Sequence, residues 1–270
     1  MNGKRLTTMR PMQVSLQGMR TRLRFTDVGI LILLALALFT LHMLTNGQYG
    51  FHRDELALID NARRLDWGFV DYPPLTPLFA RVALELFGPS LVGVRLFAAL
   101  AASLGMLLAG LMTRELGGSR FAQVVAALAA AIAPIALAGG AFLTYGTLDY
   151  FWWVLIAYLM IRLLKSDNPR WGLGIGAAFG LGLETKYTIL VLAAGVAVGV
   201  VLTRARRHLL SPWLWGGVAL ALLVFLPNLI WQVQHDFISL DFLRFIHARD
   251  IRIGRTAGFL SEQLIFGVNP

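Results

Sequence analysis

The sequence predicts an all-α polytopic membrane protein with two amphipathic interfacial helices in its first external loop. Three observations carry that prediction. Of 270 residues, 57% are hydrophobic and 14% charged, against roughly 25% charged in a soluble globular domain. The apolar residues gather into runs close to the ~20 residues that a spanning helix needs. Basic residues recur between alternate runs, as they do in cytoplasmic loops. A soluble enzyme and a disordered chain are both excluded by this hydrophobicity. The absence of cysteine removes disulfides, thiol catalysis and Cys-ligated metals.

Residues 1–26 form a cytoplasmic basic arm ahead of the first run, Val28–Leu44. No small-residue cleavage site follows Leu44, so this run reads as an uncleaved anchor. The first external loop, residues 45–90, is patterned. Leu58, Ile59, Ala62 and Leu65 recur at helical spacing opposite Asp60, Asn61, Arg63 and Arg64. A second stripe, Leu75, Leu78, Phe79, Val82 and Leu86, follows Trp67-Gly68-Phe69-Val70-Asp71-Tyr72-Pro73-Pro74. Two helices lying flat in the interface, joined by a rigid Pro-Pro turn, fit the pattern. Leu91–Met112, Phe121–Ala138 and Thr147–Leu164 are the next spans. Trp171–Leu202 would rise about 48 Å as one helix. It is therefore read as two segments hinged at Glu184-Thr185-Lys186, the first short and glycine-rich. Trp213–Ile230 makes a seventh crossing and Thr256–Val268 starts an eighth. Residues 27–270 thus form one transmembrane domain.

Orientation follows from the charges. Alternation from a cytoplasmic N-terminus places 14 of 24 basic residues inside, with only Asp27, Glu115 and Asp167 among the acids. The net charge of +9 and pI near 10.6 are then topogenic and call for no nucleic acid. The same alternation puts both long loops, the Asp149 turn, the Glu184–Lys186 hinge and the His235 segment on the external face. In so apolar a chain, polar clusters converging on one face are the main functional signal.

Each candidate has two readings. Asp54-Glu55 opens the first interfacial helix after Gly50-Phe51-His52-Arg53. Asp54 serves either as an N-cap, with Glu55 complementing the helix dipole, or as a base taking a proton from an acceptor hydroxyl. Asp149 sits in the first turn of a helix that Thr147 would cap. Its neighbours Tyr145, Tyr150, Trp152 and Trp153 read as an interfacial belt. Lys186 is the lone basic residue of the short external connections; it either pairs with Glu184 or Asp149 or receives a lipid phosphate. No cofactor is called for. A divalent metal stays open, because His52 and His235 are candidate ligands beside carboxylates, although their spacing is not diagnostic.

These residues carry a resemblance. Gly50-Phe51-His52-Arg53-Asp54-Glu55-Leu56 and Asp71-Tyr72-Pro73-Pro74-Leu75-Thr76-Pro77 resemble the first external loop of polyprenyl-phosphate-sugar glycosyltransferases. These are the ArnT-like and protein-O-mannosyltransferase-like members (family 39, PMT_2) of the GT-C fold. Thr147-Leu148-Asp149, Glu184-Thr185-Lys186-Tyr187 and Trp231-Gln232-Val233-Gln234-His235 are similar to later segments of that family, in order. The resemblance implies a GT-C multi-helix bundle that moves a sugar from a polyprenyl-phosphate donor to an acceptor hydroxyl with inversion. By the same resemblance Asp54 and Glu55 are catalytic, while Lys186, Tyr187 and Asp149 bind the donor and its phosphate. Asp71, Tyr72, Pro73, Pro74 and His235 support the acceptor or the loop. The partners implied are the lipid-linked sugar, a glycan, lipid or protein acceptor, and membrane lipids. The setting implied is the plasma (inner) membrane, with an extracytoplasmic active site. Family members continue for several more helices, so the chain is read as an N-terminal portion.

The rival reading is a secondary transporter or lipid flippase, since broken helices with charges at the break build transporter sites. The break here lies near one face rather than the midplane, and no inverted repeat relates the halves. Both points favour the transferase.

Overall fold

A computed structural model describes residues 16–254 together with Gly258 and Ser261, and for residues 16–26 the backbone alone. The arm before Leu16 and the rest of Thr256–Val268 lie outside the described residues. Eleven α-helices and one 3-10 helix follow in order: α1 (Leu16–Thr45), α2 (Arg53–Arg63), α3 (Leu75–Phe87), α4 (Leu91–Glu115), α5 (Arg120–Ile132), α6 (Pro134–Ala141), α7 (Tyr145–Ser166), α8 (Trp171–Leu183), α9 (Ile189–Leu202), the 3-10 helix Arg204–Leu210, α10 (Pro212–Gln234) and α11 (Ile238–Arg252). No strand occurs among the described residues. Among the described residues four helices are long and apolar enough to cross a membrane, or up to six if each sharply bent pair is one span. The chain is an integral multi-pass membrane protein.

α4 is the central element, packed on α1, α5 and α7. Leu31, Ala35, Met106 and Ala127 fill the seam between α1, α4 and α5. Leu58, Ile59 and Ala62 seat α2 against Val94 and Ala98 of α4, so the 45–90 loop is docked by the apolar stripe that the α2 sequence displays. The tightest pair is α8 with α10. A Cβ on Gly176 would lie 2.0 Å from the Gly217 carbonyl oxygen, so this approach is open only to glycine. That is the small-residue packing expected where helices associate in lipid.

Two apolar runs break, one at a proline and the other at a polar hinge. The predicted span Phe121–Ala138 divides into α5 and α6, bent by 62°. Pro134 lacks the N–H that would continue α5 and holds Ala133 extended, at φ −56° and ψ 128°. Trp171–Leu202 divides into α8 and α9 at Glu184–Thr188, where the hinge was predicted. α8 has 13 residues, about 20 Å of rise, short of the ~30 Å hydrocarbon core.

The two ends of the bundle differ chemically. One gathers ion pairs between neighbouring helices: Arg120 with Asp27 at 2.6 Å, Lys165 with Glu115 at 3.2 Å, and Arg207 with Asp167 at 2.7 Å. The other gathers α2, α3, the α6–α7 junction, the α8–α9 break and α11. The site lies there.

Candidate active site

The head of α2 is built around a buried charge. His52 is its N-cap: His52 Nδ1 accepts the Asp54 N–H at 3.2 Å, and the His52 N–H donates to Glu55 Oε2 at 2.8 Å. This is a capping box with histidine in the serine position. The cap is therefore His52, two residues before Asp54, because the imidazole nitrogen reaches the first turn as a hydroxyl would. Relieved of capping, the Asp54 carboxylate stays 39% exposed, with the Arg53 Nε 3.2 Å away.

Glu55 is fully buried. Its Oε1 accepts from Arg95 Nε at 2.8 Å and from the Leu143 N–H at 3.0 Å. Its Oε2 accepts from an Arg95 terminal nitrogen at 2.7 Å. The guanidinium also donates to the carbonyls of Asn46, Tyr49 and Gly50 at 2.5, 3.2 and 2.8 Å. Both charges are buried, paired and saturated with hydrogen bonds, as such burial requires. One pair thus ties the end of α1, the start of α2 and the α6–α7 junction to α4. Arg95 was absorbed into an apolar run by sequence reasoning, although a lone arginine within a spanning helix is itself a functional signal.

The α8–α9 break is held by a second network. The Leu75 N–H donates to the Glu184 carbonyl at 2.8 Å, joining the Pro73-Pro74 turn to the hinge. Tyr187 Oη donates to Asn228 Oδ1 at 3.0 Å and accepts from Gln232 Nε2 at 2.8 Å. Asn228 Nδ2 donates to the Trp67 carbonyl at 2.8 Å. Thr188 Oγ1 donates to Asp149 Oδ2 at 2.7 Å. Asn228 was invisible in the sequence because an amide in an apolar helix shows no spacing signature, and Gln232 stood out only as part of the Trp231–His235 segment, with no role attached. The Glu184 side chain is buried with Oε1 unbonded, and burial pushes its carboxyl up to about 8.

These networks converge on a cavity of about 570 Å³. Asp54 and Arg53 of α2, Asp71, Tyr72 and Pro73 of the loop, Lys186, Tyr187 and Thr188 of the break, Tyr145 of α7 and Arg249 of α11 all line it. The Lys186 Nζ lies over the Tyr145 ring, 4.9 Å from its centroid, and makes no ion pair within 4.0 Å among the described residues. Partial desolvation raises the Asp71 carboxyl above its ordinary value, aided by the Asp54 charge. Burial likewise raises the Tyr72 phenol, whose oxygen accepts from Asn61 Nδ2 at 2.5 Å.

Six sequence candidates therefore share one cavity: Asp54, Asp71, Tyr72, Pro73, Lys186 and Tyr187. Four do not line it. Glu55 faces Arg95. Asp149 touches the cavity only through Thr188, and its helix is capped by Thr144 rather than Thr147, which bonds Gly139 instead. Pro74 caps α3. His235 stacks on Trp231 at 4.0 Å and lines a neighbouring cleft with Asp66 and Trp67. Among the described residues no group of three or more His, Asp or Glu is placed to hold a metal ion.

Residues 71–231 match the family described as dolichyl-phosphate-mannose-protein mannosyltransferase, PMT_2. The chain belongs to that family. The PMT_2 match runs from Asp71 in the loop to Trp231 near the end of α10, and so includes the hinge. Over 210 residues the chain is 29% identical to the lipid A galacturonosyltransferase RgtD of Rhizobium johnstonii, covering 77% of this chain and 44% of that protein. It also shares its fold with ArnT from Cupriavidus metallidurans. The TM-scores are 0.60 for the apo structure and 0.61 for the one bound to undecaprenyl phosphate, at 23% and 21% identity. Each overlap covers 78% of this chain and 42% of ArnT. The chain thus spans less than half the length of the proteins it matches, and its helices form the GT-C bundle of the ArnT structures.

Proposed function

We propose that this chain supplies the donor site and catalytic base of a membrane glycosyltransferase. It would move a sugar from a polyprenyl phosphate to an acceptor hydroxyl on a lipid, glycan or protein. The observation that carries the proposal is the single cavity in which a half-exposed carboxylate, Asp54, meets an unpaired ammonium, Lys186. The family, the fold shared with a structure that binds undecaprenyl phosphate, and the lipid A acceptor in the RgtD name are consistent with it. The donor tail keeps to the bilayer, so phosphate and sugar sit at headgroup height, where this end of the bundle would lie on the extracytoplasmic side.

The reaction is one in-line displacement. Asp54 takes the acceptor proton, the freed oxygen bonds the anomeric carbon, and the bond from that carbon to the phosphate oxygen breaks. Polyprenyl phosphate leaves with its electron pair, its charge met by Lys186 and Arg249 in a site already organised for it. Inverting glycosidases pair a carboxylate base with attack opposite the leaving group in the same way. Glu55 and Asp149 position: one holds α2 through Arg95, the other holds the hinge through Thr188.

Lys186→Ala in folded, membrane-inserted protein should weaken binding of a synthetic polyprenyl-phosphate sugar about ten- to a hundredfold, since hydrogen bonds to charged groups contribute roughly 1.5–3 kcal/mol. Lys186→Arg should restore part, charge being kept while geometry changes. Unaltered donor affinity in the alanine variant would overturn the assignment.

A further inference from the structure

An apolar groove of about 350 Å³ opens where α9 stands off from the α8–α10 pair, running from Leu183 and Ile189 beside the hinge to His208 at the end of the bundle away from the cavity. Leu164, Phe179, Val196, Val200 and Leu222 line it, and His208 closes one end. The 14 residues of α9 rise about 21 Å, longer than the ~15 Å hydrocarbon depth of one leaflet. Beyond α9 the chain turns by 103° into Arg204–Leu210.

That end is charged as well as apolar. Arg204 and Arg206 are exposed and make no ion pair among the described residues, while Arg207 shares Asp167 with His208 at 2.7 and 3.7 Å. Arg170 lies over the Trp213 ring at 5.6 Å. Four arginines here face one carboxylate. His208 is 8% exposed, and its Nε2 forms no hydrogen bond among the described residues. Leu210, by contrast, is 91% exposed beside these cations, as suits a segment at the boundary of headgroups and acyl chains.

We propose that this groove binds an anionic phospholipid, one acyl chain along α9 and the phosphate among Arg204, Arg206 and His208. Charge decides the occupant. A polyprenyl tail descending from Lys186 would bring no anion to this end, and an apolar helix would leave the arginines unanswered. The site goes beyond glycosyl transfer, because neither end of the groove contains a residue assigned to that reaction.

The test is native mass spectrometry of the protein released from nanodiscs of mixed phosphatidylglycerol and phosphatidylcholine. The parent should retain phosphatidylglycerol selectively. Removing Arg204 and Arg206 together with alanine should lower that selectivity about fivefold per arginine, the worth of one basic residue at an anionic surface. Arg206→Lys should keep most of it. Ala197→Trp, which fills the groove, should abolish retention with the arginines intact, and Val200→Phe repeats the block with a smaller change. Equal retention of the two lipids by the parent would overturn the site and leave the arginines purely topogenic. Retention unaffected by both filling variants, or loss of bound polyprenyl phosphate in place of phosphatidylglycerol, would overturn the occupant.

Discussion

Arg95 ties together the cavity end of the bundle through one side chain. All its donor nitrogens are engaged, and its partners span residues 46 to 55. Arg95→Met would leave the Glu55 carboxylate buried without a counter-charge, which costs roughly 3–5 kcal/mol. Thermal unfolding in detergent should show that loss, and combining the change with Glu55→Leu should recover much of it, as coupled neighbours do. An Arg95→Met chain as stable as the parent would contradict the buried pair. At this scale the sequence was half legible. Asp54, Asp71 and Lys186 stand out because charges are rare in the chain. Glu55 looked equivalent to Asp54, and only the fold reveals that adjacent carboxylates on α2 point one into the core and the other to the cavity.

At the scale of elements, the hinge between α8 and α9 carries a titratable group that the bundle dislikes charged. Folding holds Glu184 protonated up to about pH 8, whereas the unfolded chain releases that proton near the ordinary value of about 4.5. A raised folded pKa means stability fully present below about pH 4.5 and lost as pH rises to about 8. Unfolding free energy measured across that window should fall by at most about 1.4 kcal/mol per pH unit from this group, and Glu184→Gln should flatten the slope. An unchanged slope in the glutamine variant would show that Glu184 titrates normally. Helix positions were legible from apolar periodicity, including both interfacial helices, but only the α2 stripe packs inward as patterned: α3 buries Thr76, Ala80 and Ala83 and leaves Leu78, Val82 and Leu86 of its predicted stripe exposed. The α5–α6 bend at Pro134 was not legible: an uninterrupted apolar run hides a proline whose effect on direction depends on what packs around it.

For the whole molecule, arginine placement and the two chemically distinct bundle ends give a testable orientation. The chain has no native cysteine, so Arg64→Cys should react with an impermeant maleimide added to intact cells, and Asn168→Cys should react only after lysis. Labelling of the Asn168 variant in intact cells would reverse the orientation. The assembly of one cavity from α2, the loop, the hinge and α11 could not be read from spacing, since its contributors are up to 196 residues apart, from Arg53 to Arg249.

The central claim is that Asp54 is the base. Asparagine keeps its shape, and the α2 cap resides on His52, so Asp54→Asn removes little besides proton acceptance. The decisive measurement is single-turnover transfer from a synthetic polyprenyl-phosphate sugar by the full-length protein in nanodiscs, with donor affinity determined in parallel. The account predicts a rate lower by about 10²–10⁴-fold, the usual worth of general-base catalysis, with donor affinity and folding unchanged. Transfer at the parental rate would contradict it.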